Sequence, residues 1–238
     1  IYLPLAGAPE PSAVADAPVR RVAVLGADFV GLKPTFLVQP GDRVRIGQPL
    51  FEDKKAPGVI HTAPAAGRVS AINRGDKRAF VSLVIDRDGD EATPFASYTG
   101  LKADAGGADY VRRLLAESGL WTALRARPYS RVPATTAIPD AIFVTAIDTR
   151  PHAPSPDVAL AGREADFAAG ILALRELTPG TVFVCRRPDS RLSPPVADRV
   201  KDAPFSGPHP AGNAGTHIHF LHPVGHGRIA WHIAARDV

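Results

Sequence analysis

The sequence predicts a mixed α/β chain of two domains, a β domain over residues 1–97 followed by a small parallel α/β domain over residues 98–238. Three observations carry this. Apolar residues in the first half come in short, turn-bounded runs with a period near two. In the second half, two nearly continuous β-branched runs flank a stretch with helical spacing, the pattern of a strand–helix–strand unit. The 24 prolines and 21 glycines make up about one residue in five, well above ordinary usage, so many turns and no long-helix bundle are expected.

In the first half, Pro40-Gly41-Asp42 reads as a turn leading into an alternating strand with Val44 and Ile46 on one face, closed by a second glycine turn at Gly47. A related turn–strand unit runs from Pro64 to Ile72, and a longer strand runs from Ala79 to Ile85. Two such units predict a pseudo-symmetric small β sandwich. The spacing Val-x-x-Gly-Asp-x-Val-x-x-Gly-Gln-x-Leu, followed by Ala-Pro-x-x-Gly-x-Val, resembles the biotinyl/lipoyl-type barrel-sandwich hybrid. In carriers of that type a lysine on the hairpin between the units holds the swinging cofactor. Lys54 and Lys55 lie nearby, but counting back from Ala63-Pro64 puts Ala56 at the carrier position, so a scaffold that carries nothing is the better reading.

In the second half, Asp109 is placed to cap a short helix bearing Val111, Leu114 and Leu115 on one face and ending by Gly119. Ala141 to Ile147 reads as a strand buried on both faces. Ser155-Pro156-Asp157 supplies an N-cap, a first-turn proline and a first-turn carboxylate. Leu160, Glu164, Phe167, Ile171 and Leu174 then recur at helical spacing until Thr178-Pro179-Gly180. Thr181 to Cys185 is a second buried-type strand, and Pro195 to Val200 a weak helix. The result is Rossmann-like, yet Asp148-Thr149-Arg150-Pro151 stands where a Gly-x-Gly-x-x-Gly fingerprint would follow the first strand.

Ligands of such domains gather at the carboxyl ends of the parallel strands, here Asp148, Thr149 and Arg150 and then Arg186 and Arg187. Arg125, Arg127 and Arg131 surround Pro128-Tyr129-Ser130 as a basic cluster suited to an anion or an acidic partner. The stretch Gly207 to Phe220 combines backbone freedom at its glycines with fixed prolines, which suits a loop that approaches something closely. Six of the eight histidines fall between His209 and His232, which raises metal binding. His217 and His219 would share a face only on a strand, and no Asp or Glu lies between residues 203 and 236 to complete a mixed site, so no metal is assigned. No nucleophile elbow or phosphate loop is present.

The net charge of +4 is spread evenly, with 12 Lys/Arg against 11 Asp/Glu in residues 1–100, which excludes a nucleic-acid tract. A single cysteine, Cys185, excludes a disulfide framework and fits a reducing compartment. No apolar run approaches the ~18 residues of a membrane span. There is no methionine, not even at position 1, so a natural start is expected upstream or to have been removed.

Taken in order, Leu3 to Glu10, Leu50 to Lys55, Ser118 to Arg125, Ala161 to Glu164 and Gly207 to Phe220 closely resemble the A-type subunits of the bacterial Na+-translocating NADH:quinone reductases. The resemblance implies a protein about twice this length, whose C-terminal part is missing here. It also implies a peripheral member of a six-subunit membrane complex, on the cytoplasmic side of the bacterial inner membrane and reaching the membrane only through its partner subunits. That complex passes electrons from NADH to ubiquinone and pumps sodium. The resemblance places this component near the quinone end, with no cofactor of its own; flavins, iron–sulfur centres and the NADH site belong to other subunits.

The fold is also similar to the flavin-binding subunit of respiratory complex I. The stretch Ser118 to Pro133 corresponds to that protein's glycine-rich FMN cradle, but Gly119 is its only glycine and bulky side chains fill it, which argues against FMN. His209, Gly212 and His217, with Trp121, Arg125, Arg127 and Arg131, are the candidate quinone- or partner-contacting residues, because histidine can hydrogen-bond a quinone carbonyl while Trp flanks a ring. A soluble nucleotide- or metal-dependent enzyme on the α/β domain, or a biotinyl/lipoyl-type carrier, is the alternative.

Overall fold

The computed structural model describes Gly7, residues 17–96 and residues 107–238. The boundary expected between residues 97 and 98 lies outside the described residues, as does the stretch Leu3 to Glu10 apart from Gly7.

Among the described residues, seven short strands build the first domain: β1 Arg21–Leu25, β2 Pro34–Phe36, β3 Arg43–Val44, β4 Pro49–Asp53, β5 Ile60–Thr62, β6 Gly67–Arg74 and β7 Phe80–Arg87. They form a four-stranded sheet in the order β1-β7-β6-β3 and a three-stranded sheet in the order β2-β4-β5, antiparallel throughout. Val44, Leu50, Phe51, Val69, Leu83 and Ile85 fill the space between them. Phe51 sits edge-on to Phe36 and Phe80 at 5.5 and 5.3 Å, and full burial of such side chains contributes roughly 1.5–3 kcal/mol each. The turn before β3 forms as expected: Gly41 has φ +101°, and the Asp42 carboxylate accepts the Gln39 amide at 2.9 Å. The alternation beyond it does not hold, because β3 stops after two residues. Ile46 is 37% exposed and turns to bridge Ala92 instead of following Val44 inward.

The second domain contains α1 Gly107–Ser118, β8 Arg125–Arg127, β9 Ala141–Ala146, α2 Pro156–Ala159, α3 Glu164–Arg175, β10 Thr181–Arg186, β11 Val200–Pro204, α4 Ala214–Leu221 and β12 Ala230–Ala234. Its sheet runs β11-β10-β9-β12-β8, parallel except for the edge strand β8. The chain leaves β9 toward β10 through α2 and α3, then returns through α4 to β12 on the other side of β9. The order therefore reverses at β9, which is where open α/β sheets leave a crevice at the strand ends. Phe167, Ile171 and Leu174 of α3 pack with Ile142, Val144, Trp231 and Ile233 on one face of the sheet. Ile218 of α4 packs with Phe143, Phe183 and Cys185 on the other.

Four further expectations are corrected. Asp109 lies inside the first turn of α1 rather than before it. The long helix through Leu160 is two helices: Ser155 caps α2 by accepting the Asp157 amide at 3.3 Å, and Gly162 at φ +79° breaks the chain before α3. Pro195 to Val200 forms no helix, because six residues are too few to sustain one without a packed apolar face, and the chain enters β11 at Val200. The second half of the Gly207–Phe220 stretch is a helix, not a loop or strand, so His217 and His219 point to opposite sides: His217 is buried and His219 exposed.

The two domains meet over the β4–β5 hairpin. Ala56 and Val59 join the cluster that holds Trp121 and Leu124, and Thr62 Oγ1 donates to the Ser118 carbonyl at 3.2 Å. Gly119 ends α1 at φ +79°, and a Cβ there would lie 2.3 Å from Thr62 Oγ1, so only glycine permits this approach.

Candidate ligand and partner site

The crevice at the switch point is a cavity of ≈ 410 Å³ between the ends of β9 and β12, bordered by α2 on one side and by the start of α4 on the other. Its size lies in the range of small-molecule sites. Thr145, Ile147 and Asp148 come from β9 and its exit, and His232 to Asp237 from β12 and its exit. Arg125 enters from β8, where it is the register partner of His232, so the two share the α4 face of the sheet.

The electrostatics of this crevice are uneven. The Asp148 carboxylate is gripped by Arg150 Nε at 3.1 Å and Nη2 at 2.5 Å; partial burial works to raise its pKa, but the Arg150 bonds outweigh that and hold it low. Arg125 is half-buried and forms no ion pair among the described residues. Its guanidinium donates to the carbonyls of Thr122, Leu124 (3.0 Å) and Asp28 (3.3 Å) and lies over Phe29 at 5.1 Å. Burial pushes its pKa down, against the pull of Asp237 and Asp28. Burial, with help from Arg127, Arg125 and His217, lowers the His232 imidazole to about 4, so it is neutral at pH 7. Its Nε2 is buried without a hydrogen-bond partner.

The Gly207–Asn213 segment is fastened to the end of β9 through Thr149. The Gly212 amide donates to Thr149 Oγ1 at 2.9 Å, and His209 Nδ1 lies 3.3 Å from the same hydroxyl. A Cβ on Gly212 would stand 2.7 Å from the Thr149 nitrogen, so the close approach that suggested a loop is real, and its target is the chain's own strand end. Two groups that looked separate in sequence, Asp148–Arg150 and His209–Gly212, are thus one structure.

The remaining candidates disperse. His217 is fully buried, with Nε2 2.7 Å from the Ala211 carbonyl and its ring 4.3 Å from Phe205. That bond makes Nε2 the protonated nitrogen, while Nδ1 has no partner. Trp121 has no exposed surface; its indole N–H donates to the Pro133 carbonyl at 2.8 Å and its ring meets Trp231 edge-on at 5.5 Å. Arg127 lies on the same sheet face as Arg125, beneath the first turn of α4, within 3.5 Å of Ser130 Oγ. Arg131 faces away and lines a small interdomain cleft with Lys55, Phe29 and His61. There His61 is buried against Phe51, and burial lowers its imidazole to about 4. Arg186 pairs with Asp202 and Arg187 with Asp189, outside the crevice. Sequence reasoning missed Arg236, Asp237 and His232 as crevice residues; the signal was present, since Ala230 to Ala234 is a strand of the same buried type as β9.

Among the described residues, no three His, Cys, Asp or Glu side chains are grouped to hold a metal ion, and no helix is long and apolar enough to cross a membrane.

Comparison with known proteins gives one answer across the chain. Residues 1–88 match the NqrA N-terminal barrel-sandwich hybrid domain, and residues 107–238 match the NqrA second alpha/beta domain. The A-type subunit of the Na(+)-translocating NADH-quinone reductase of Pseudomonas aeruginosa is 51% identical over 236 residues, 99% of this chain and 53% of that protein. Its counterparts in Saccharophagus degradans and Yersinia pseudotuberculosis are 48% and 46% identical over 237 residues, again 99% of this chain and 53% of theirs. The chain spans about half the length of these relatives. It therefore belongs to the NqrA family, and comprises that family's barrel-sandwich hybrid and second alpha/beta domains.

Proposed function

We propose that this chain is part of the peripheral subunit of a Na+-pumping NADH:ubiquinone oxidoreductase, serving in assembly and at the quinone-reducing end rather than as an independent catalyst. The observation that carries this is the match of both domains, in order, to two successive domains of one subunit type. In this reading the partners are the other subunits of a six-subunit membrane complex on the cytoplasmic side of the bacterial inner membrane. NADH, flavins and iron–sulfur centres are handled by those partners, and ubiquinone is the substrate of the whole.

The geometry supports a component that holds no cofactor in the manner of its fold relatives. The hairpin that a biotinyl or lipoyl carrier projects into solvent is here packed into the second domain through Ala56 and Val59. The Ser118–Pro133 stretch places Trp121, Leu124 and Arg125 where a phosphate cradle needs bare backbone. His209, half-exposed at the rim of the Thr149 clasp, is the histidine positioned to meet a quinone carbonyl or a neighbouring protein of the complex. Exposed Tyr129 beside Arg127 and Arg131 offers the adjoining docking edge. In the assembled complex, His209→Ala should slow quinone reduction while leaving NADH oxidation by an artificial acceptor intact. An unchanged quinone rate with normal assembly would remove His209 from the site.

A further inference from the structure

The crevice between β9 and β12 is short of negative charge. We propose that it binds a phosphate monoester with an apolar body, the phosphate held by Arg125 and the amides at the start of α4 and the body lying against Ile147, Pro156 and Ile233. The proposal does not rest on the role in the complex and requires no quinone.

Four observations lead there. The cavity lies at the reversal of strand order, where open α/β sheets bind ligands, and its ≈ 410 Å³ exceeds what a lone phosphate needs. Arg125 borders it, half-buried, with carbonyls as its only hydrogen-bond partners and no ion pair among the described residues. A half-buried guanidinium so placed gains most from a charge-assisted bond to an oxyanion. The nearby acids are engaged or turned to neighbours: Asp148 is bound by Arg150, and Asp237 lies 3.9 Å from Arg236. The Asn213 side chain makes no capping bond to α4, so the positive end of that helix faces the cavity through Asn213 and Ala214. His232, the register partner of Arg125 and a lining residue, keeps a buried Nε2 with no hydrogen-bond partner. A neutral imidazole can stand beside a phosphate without adding charge, through either a donated or an accepted hydrogen bond.

A phosphate monoester can come as a soluble metabolite or as a lipid headgroup, and the test separates them. Titration calorimetry of the full chain with phenyl phosphate should show saturable binding, and phenol should show none. Arg125→Gln and Ala214→Glu should each weaken binding at least about tenfold. Arg45→Gln, at an exposed position of the β domain that does not line the crevice, should leave it unchanged. Ala214→Glu adds a carboxylate at a helix start, where it favours the helix, so it decides the matter if Arg125→Gln fails to fold. Sedimentation with phosphatidylcholine vesicles, with and without phosphatidic acid, assigns the source: phosphatidic acid-dependent pelleting that phenyl phosphate displaces identifies a headgroup, and its absence a soluble ester. No saturable binding of phenyl phosphate, or equal weakening by Arg45→Gln and Arg125→Gln, would overturn the proposal.

Discussion

The two domains treat buried polar groups differently. In residues 17–96, among the described side chains, no buried nitrogen or oxygen lacks a hydrogen-bond partner, and the one buried histidine, His61, is sandwiched by Phe51 and Phe29. Among the described residues of the second domain, four buried nitrogens lack partners: His217 Nδ1, His222 Nε2, Trp231 Nε1 and His232 Nε2. Orphaned polar atoms cost roughly 1–3 kcal/mol each, so a fold that retains several in one segment is spending stability on something other than packing. The β domain reads as a closed scaffold, the α/β domain as the part arranged to meet something else.

The largest test of that contrast strikes the joint between the domains. Trp121→Ala removes a fully buried indole and its bond to Pro133, and should cost about 3–5 kcal/mol in urea unfolding. A loss below ~1 kcal/mol would show that the shared core does not depend on it.

Acid acts on each domain through one buried histidine. His61 and His232 both have imidazoles lowered to about 4 from the ordinary 6.5, so each binds its proton more readily in the unfolded chain. Their contribution to stability is full above pH 6.5 and is lost as pH falls toward 4, on the order of 3 kcal/mol for each at about 1.4 kcal/mol per pH unit. His61→Phe should flatten the loss in the β domain alone, read from unfolding curves at pH 7 and pH 4.5. An unaltered acid profile in that variant would assign the loss elsewhere.

The smallest effect concerns the clasp. Gly212→Ala forces a Cβ to within 2.7 Å of the Thr149 backbone and should cost about 1–3 kcal/mol, with the start of α4 displaced in hydrogen exchange while the β domain is unaffected. Equal exchange in both domains would remove the distinction between scaffold and site.

How far the sequence foretold this depended on how uniform each signal was. β9 and β10 were legible because both faces are covered and all but Thr145 of β9 and the terminal Thr181 and Arg186 of β10 are apolar. The capping residue Ser155 was legible for the same reason that it works: its hydroxyl, the proline and the acid that follow act locally. α4 was not legible, since Ala214 to Leu221 places histidines on both sides of a short helix preceded by glycines and prolines, and only tertiary packing of Ile218 and His217 decides its state. The crevice was half legible. Asp148 to Arg150 were marked by their place after a strand, but Arg125 and His232 become neighbours only through the antiparallel pairing of β8 with β12. The dense run of histidines raises metal binding without completing a site, and the helix sends His217 inward and His219 outward. The three arginines that looked like one cluster serve a carbonyl nest, a helix start and an interdomain cleft.

The central claim, that the chain works as part of a membrane-bound NADH:quinone reductase, is tested most directly by affinity purification of the full-length protein from detergent-solubilised membranes. The account predicts that integral membrane proteins and sodium-stimulated NADH:quinone reductase activity copurify with it, and that its deletion abolishes that activity. A protein that purifies alone from the soluble fraction, with the activity intact in membranes of the deletion strain, would contradict it.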